Sequence, residues 1–278
     1  MRTYKDYVEE VIKLLENHNI DNARGDALEL LERFSGMTRT EYVIDGNKDM
    51  PVDEAELLFR GASMRAHNVP LQHILGFAYF YGRKFKVNGD VLIPRFDTEC
   101  VVEYALKHIK EDMNVLDMCT GSGCIGITVA LEKKVKVCAA DISEKALAVA
   151  GENAARLGVA VEFIRSDLFE QFDGKSTFDM IISNPPYIPS ETIAGLSPEV
   201  RDYDPLTALD GGNDGLLFYR RIINEGSRFL KTGGRFVFEI GSDQAADVRK
   251  LLSNAGFKDI IIKKDLAGLD RIVSAVKC

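Results

Sequence analysis

Ile181-Ile182-Ser183-Asn184-Pro185-Pro186-Tyr187-Ile188-Pro189 decides how the rest of the chain is read. The mostly apolar run that enters it, Phe178 to Ile182, has the character of a strand buried in a parallel sheet. Two successive prolines then fix φ and remove two backbone donors, so the strand stops. Open α/β sheets bind ligands at the carboxyl ends of their strands. This end offers two acceptors, the Asn184 side-chain oxygen and the Pro185 carbonyl, and a flat ring, Tyr187. A planar –NH2 group fits such a corner, its two N–H bonds held by two carbonyl oxygens and its face against the ring. The plainer alternative is a proline-rich turn; Asn before the prolines and Tyr after them favour a site.

Working outward, strands and helices alternate. Segments 114–118, 135–140, 159–165, 178–183 and 235–240 read as strands, and 124–131, 144–157, 215–230 and 243–255 as helices. Two closing strands follow at 259–263 and 271–276. This alternation predicts an α/β fold with a mostly parallel sheet covered on both faces.

Upstream, Val8, Val11, Ile12 and Leu15 repeat at helical spacing. Asp21 is placed to cap a second helix that ends before Gly36, and Pro51 and Asp53 open a third that ends before Pro70. Two short aromatic-rich runs around Gly82 read as a β-hairpin. Val91–Ile93 reads as a strand stopped by Pro94, after which Asp97 or Thr98 caps a helix through Val102, Ala105, Leu106 and Ile109. The expected domains are a helical substrate-docking domain over 1–75, a hairpin bridge over 76–93 and a catalytic domain over 94–278. Residues 1–70 hold nine Lys+Arg and fourteen Asp+Glu. That acidic balance suits a solvated surface or a docking face for a basic partner.

The first strand of the alternating region runs into Asp117-Met118-Cys119-Thr120-Gly121-Ser122-Gly123-Cys124-Ile125-Gly126. Its glycines permit a tight turn and close approach of a ligand to the backbone. Asp141 ends the next strand, twenty residues after Gly121, the offset at which an acid reaches ribose hydroxyls. Asp167 follows the third strand, where it could accept from an adenine amino group with Leu168 or Phe169 on the ring face. Either acid could instead cap a helix. Together the loops describe a site for an adenosine-bearing cofactor, either a nicotinamide dinucleotide or S-adenosylmethionine. Asp117 tips the choice, because a carboxylate there suits a cationic amino or sulfonium group better than a pyrophosphate.

The chain is 46% hydrophobic over 278 residues, enough for a sizeable core. It has no apolar run long enough to span a membrane, and its charged start lacks the apolar core of a signal peptide. Five cysteines without a C-x-x-C pair argue for a reducing compartment, against a disulfide framework and against zinc. The expected location is the cytoplasm. The net charge of −8 removes the usual basic footprint of a nucleic-acid binder.

These motifs resemble the class I S-adenosylmethionine-dependent methyltransferases and, more narrowly, the bacterial release factor glutamine methyltransferases. The resemblance runs through Pro70-Leu71-Gln72, Ile93-Pro94-Arg95 with Asp97-Thr98-Glu99, the glycine loop and Asn184-Pro185-Pro186-Tyr187. It continues through Pro198-Glu199-Val200-Arg201 and Ala208-Leu209-Asp210-Gly211-Gly212 with Asp214-Gly215. Cys119 stands where the family's loop usually has Gly, and Phe96 where Pro usually follows the arginine. The resemblance implies a Rossmann-like fold with a seven-stranded, mostly parallel sheet and a small N-terminal helical domain. It implies methylation of the side-chain nitrogen of the glutamine in the Gly-Gly-Gln loop of peptide-chain release factors, with no membrane or direct nucleic-acid contact. Asp117, Cys119, Thr120, Gly121, Ser122, Gly123, Asp141, Asp167, Leu168 and Asn184 would hold the cofactor. Asn184, Pro185, Pro186, Tyr187 and Arg95 would hold the substrate, with Asn184, Pro185 and Tyr187 catalytic and no metal. Arg95 shapes the substrate entrance or forms a surface ion pair. The alternatives are an adenine-type nucleic-acid amino methyltransferase, which shares the corner, a nicotinamide-dependent oxidoreductase, and a cofactor-binding module without catalysis.

Overall fold

Two of the helices that open the chain carry a reciprocal side-chain cap at their start. In the computed structural model, which describes residues 2–174 and 177–278, Thr3 caps α1 (Tyr4–Asn17) in a reciprocal pair with Asp6. Thr38 and Glu41 do the same for α3 (Arg39–Asp45). Between them lies α2 (Ala23–Ser35), followed by α4 (Val52–Ala66) and α5 (Leu71–Leu75). Gly61 lets α2 and α4 meet closely: a Cβ there would fall 2.5 Å from the Phe34 ring. The contacts divide the chain into two units. The first is Met1–Gly76 with Ser197–Tyr203; the second is Phe77–Leu196 with Asp204–Cys278. Within the first, Arg65 is buried and donates to Asp26 and to Glu199, each at 2.6 Å. The Tyr203 hydroxyl donates to the His67 carbonyl at 3.0 Å.

The second unit begins with the hairpin β1 (Phe77–Phe80) and β2 (Arg83–Lys86) and the helix α6 (Phe96–Leu106). Then come β3 (Asn114–Met118), α7 (Cys124–Glu132), β4 (Lys136–Asp141), α8 (Glu144–Leu157), β5 (Glu162–Arg165) and β6 (Phe178–Ser183). After a 3-10 turn at Ser190–Gly195 come α9 (Pro198–Arg201), which belongs to the first unit, and α10 (Leu206–Leu209). The chain closes with α11 (Leu217–Gly226), β7 (Leu230–Glu239), α12 (Ala245–Asn254), β8 (Lys258–Lys264) and β9 (Asp270–Val276). Seven strands form one sheet in the order β5-β4-β3-β6-β7-β9-β8, parallel except for β9. Alternate residues face opposite layers. Met180, Ile182 and Val237 pack with α6 and α7, whereas Ile181, Phe236 and Phe238 pack with α11 and α12. The order places β3 and β6 side by side at the sheet centre, where the direction of winding reverses.

Several local expectations are corrected. Asn22, rather than Asp21, stands at the N-cap of α2. Val91–Ile93 is not a strand: Val91 and Ile93 bury against Ala146 and Val149 as irregular chain. α6 begins at Phe96, so Thr98 lies inside its first turn instead of capping it. α11 begins two residues later than expected because Gly215 has φ +70°, outside the helical region. β5 begins at Glu162, because the Val159 N–H is still bonded to Ala154 at the end of α8.

Candidate active site

The glycine loop turns between β3 and α7. Asp117 is wholly buried beneath it. Its Oδ2 accepts from the Thr120 hydroxyl and, at 2.8 Å, from the Gly126 N–H. Its Oδ1 has no hydrogen-bond partner. Burial pushes this carboxyl up to about 6, with the Thr120 and Gly126 bonds pulling against it. A Cβ on Gly126 would sit 3.0 Å from Asp117 Oδ2, which accounts for a glycine there. Cys119 has φ +64°, in the left-handed region, so the residue at the usual glycine position keeps a glycine-like backbone.

Above the loop is a cavity of about 350 Å³. It is lined by Cys119, Thr120, Gly121, Ser122, Asp141, Asp167, Leu168, Asn184, Pro186 and Arg95, among others. Asp117, Gly123, Pro185 and Tyr187 do not line it. Gly123 is the left-handed N-cap of α7, and a Cβ there would strike Ile127 at 2.7 Å. Asp141 also tethers the loop: Oδ2 accepts from the Gly121 N–H and Oδ1 from the Ser143 N–H, each at 2.9 Å. Burial raises its pKa, and those N–H groups oppose the rise. Capping of α8 falls to the Ser143 hydroxyl. No helix follows Asp167; its Oδ1 accepts from Arg221 at 2.8 Å, which fixes it at the cavity wall.

The corner after β6 stands beside this cavity. Pro185 and Pro186 are buried and Tyr187 is half-buried. Asn184 Nδ2 is directed to the Thr98 hydroxyl at 3.4 Å. The Tyr187 carbonyl accepts from Gln244 Nε2 at 2.9 Å. The segment after α10 lies along the corner: Ile188 and Asp210 bridge, and the Gly211 N–H donates to the Ile188 carbonyl at 2.8 Å. A Cβ on Gly211 would lie 2.7 Å from Tyr187 Cα, and one on Gly215 would lie 2.3 Å from the Tyr187 oxygen. Gly211 and Gly215 are therefore required by close approach to the corner. Burial lifts the Tyr187 phenol to about 12, so it stays neutral. Arg95 lines the cavity and also pairs with the buried Asp204 at 2.7 Å. Thr98 was expected only as a helix cap, and Glu239, Arg221 and Gln244 were not singled out from sequence. An acid at the end of the apolar strand Phe236-Val237-Phe238-Glu239 was the available signal for one of them.

Residues 97–194 match the methyltransferase small domain, and residues 6–76 match the PrmC N-terminal domain. A release factor glutamine methyltransferase of Geobacter sulfurreducens is 41% identical over 93% of this chain and 91% of its own length. The chain belongs to this family. A release factor glutamine methyltransferase of Bacillus subtilis is 43% identical over 90% of this chain and 91% of its own. Among solved structures, the T. thermophilus 16S rRNA N2 G1207 methyltransferase in complex with AdoMet and guanosine is similar with a TM-score of 0.54 at 15% identity. That likeness covers 73% of this chain and 50% of the other, and it concerns the fold. The family thus accounts for both units, the helical one through residues 6–76 and the sheet through the cavity and its corner.

Proposed function

We propose that this protein methylates the side-chain amide nitrogen of the glutamine in the Gly-Gly-Gln motif of peptide-chain release factors, with S-adenosylmethionine as donor. The observation that carries the reading is the Asn-Pro-Pro-Tyr corner at the edge of a carboxylate-bearing cavity, in a chain similar to such enzymes over nearly its whole length.

The cavity's donor set fits this cofactor. Asp90, Asp141, Asp167 and Asp210 line it, and Arg95, the only lysine or arginine lining it among the described residues, is already paired with Asp204. Such a wall favours a cationic ligand over a pyrophosphate. Asp141 would accept from the ribose hydroxyls, since each carboxylate oxygen has an acceptor site beyond the one given to the backbone. Asp167 and Leu168 would take the adenine. The loop Cys119–Gly123, held from below by Asp117, would surround the methionine end. Bound S-adenosylmethionine supplies an electrophilic methyl group on a cationic sulfur.

The protein's part is to deliver a nitrogen. An amide nitrogen is a poor nucleophile, so alignment carries much of the rate. Asn184 Oδ1 and the Pro185 carbonyl would hold its two N–H bonds, and Tyr187 would cover its face. These bonds strengthen as positive charge develops on nitrogen, which favours the transition state over the ground state. The first unit would dock the partner; its acidity and the neighbouring exposed Val43 and Ile44 on α3 support that role. Among the described residues no helix is long and apolar enough to cross a membrane, and we place the reaction in the cytoplasm with its substrate. The deciding experiment incubates the protein with purified release factor and methyl-labelled cofactor and maps the labelled peptide. Label on the Gly-Gly-Gln glutamine is expected; label on co-added DNA or RNA and none on the protein would overturn the assignment.

A further inference from the structure

β7 ends at Glu239, one residue beyond Phe238, and Phe238 pairs with Ser183 on β6. The parallel register therefore brings Glu239 level with Asn184, on the face that also carries Val237 and Ile182. Thr98, in the first turn of α6, is 2% exposed and packs over the same point. The Glu239 carboxylate is itself 2% exposed and lies beside the Thr98 and Asn184 side chains, both of which favour its charged form. Its Oε2 has no hydrogen-bond partner. A buried, incompletely satisfied carboxylate destabilises a fold relative to an apolar or amide side chain of similar size. Its position behind Asn184 suggests what that cost serves.

We propose that Glu239 is a positioning residue for methyl transfer, fixing the Asn184 amide with its nitrogen inward and its oxygen toward the substrate. This inference rests on the role given to Asn184 above. An Asn amide fits its site in two nearly isosteric orientations. The wrong one would set its NH2 against the NH2 of the substrate, donor against donor. Thr98 alone cannot exclude it, because a hydroxyl both donates and accepts. An ionised carboxylate only accepts. With the Thr98 hydroxyl donating to Glu239, its oxygen is left to accept from Asn184 Nδ2, and the direction of the chain is set. The negative charge also polarises the Asn184 amide, making Oδ1 a stronger acceptor as the substrate nitrogen becomes cationic.

The carboxylate must be ionised to play this part, and burial pushes it up to about 7 against the pull of Thr98, Arg271 and Asn184. The titratable groups around it are Arg271 on β9, Asp97 on α6, Cys124 on α7, Tyr187 at the corner and Tyr219 on α11, whose hydroxyl donates to the Glu239 carbonyl. Among these Arg271 stays cationic, and the Cys124 thiol and Tyr187 phenol, both raised to about 12, stay neutral near pH 7. Protonation turns Glu239 into a donor and releases the orientation. The enzyme's kcat should therefore fall as pH drops through roughly 7.

The test is steady-state kinetics of the full-length protein on purified release factor, with cofactor affinity measured separately. Glu239→Gln should lower kcat roughly tenfold, the gap between a charged and a neutral hydrogen bond. It should leave KM and cofactor Kd within about twofold and abolish the acid limb. Glu239→Asp should recover part of the rate and the limb. Asn184→Ala and the double variant Asn184→Ala/Glu239→Gln should be equally slow, because the second residue acts only through the first. If Glu239→Gln does not fold, Thr98→Val interrupts the same chain and should show the same kcat loss. Wild-type kcat in Glu239→Gln or Thr98→Val, beside a slow Asn184→Ala, would overturn this inference alone. Wild-type kcat in Asn184→Ala would overturn the role of Asn184 itself.

Discussion

Asp141 Oδ2 accepts the Gly121 N–H at 2.9 Å, so the acid at the end of β4 grips the loop at the end of β3. One carboxylate thus sets the loop's shape and faces the cofactor cavity. A hydrogen bond to a charged group contributes about 1.5–3 kcal/mol, so Asp141→Ala should weaken S-adenosylmethionine binding at least roughly tenfold. Asp141→Asn keeps one acceptor and should lose less. Calorimetry on folded variants checks this, and unchanged affinity in Asp141→Ala would remove Asp141 from the site.

Asn184→Ala deletes one of the acceptors proposed to orient the substrate nitrogen and leaves both prolines in place. Groups aimed at developing charge are typically worth about 10²–10³ in rate, and most of this loss should appear in kcat. Cofactor affinity should change much less, because the proposed adenosine contacts lie at Asp141 and Asp167. Asn184→Asp keeps an acceptor and should retain partial activity. Single-turnover rates on intact release factor measure both.

Gly211→Ala places a Cβ 2.7 Å from Tyr187 Cα, and backbone against backbone leaves no side chain to swing away. Tyr187 should shift from its place beside Asn184. We expect kcat to drop by at least about tenfold, since small misplacements of a reacting group are costly, with cofactor Kd nearly unchanged. A wild-type rate would show that the corner does not need the Gly211 segment behind it.

Much of this corner was legible because its signals are local. Asn184 to Pro189 is one continuous stretch, and the glycine loop with Asp141 spans a single strand–helix–strand repeat. What escaped reading depends on the register of the finished sheet. Thr98 and Asn184 are 86 residues apart, and Asp167 and Arg221 are 54 apart. No periodicity links such pairs. Asp117 illustrates a second limit: its spacing marked it for the loop, but only the structure shows it buried below the loop rather than exposed in the cavity. Val91–Ile93 has the composition of a strand, but those residues bury without a partner strand.

Cys119 at φ +64° is strained in a way glycine is not. A left-handed conformation costs an L-residue roughly 1 kcal/mol or more. Cys119→Ala keeps that strain and loses the thiol's packing, whereas Cys119→Gly removes the strain. Cys119→Gly should therefore melt above Cys119→Ala, by about 2–4 °C per kcal/mol in a protein of this size class. Thermal denaturation of the two variants side by side decides it; a higher melting point for Cys119→Ala would show that the loop carries no such strain.

Arg65 imposes an order of events on the newborn chain. Its second acid, Glu199, lies 134 residues downstream. At a synthesis rate of about 5–20 residues per second, the N-terminal helices are made on the order of ten seconds before Glu199 is. Throughout that interval Arg65 has Asp26 alone, and the His67 carbonyl still awaits Tyr203. The helices of the first unit thus leave the ribosome well before α9 and must wait for the chain to come back to them.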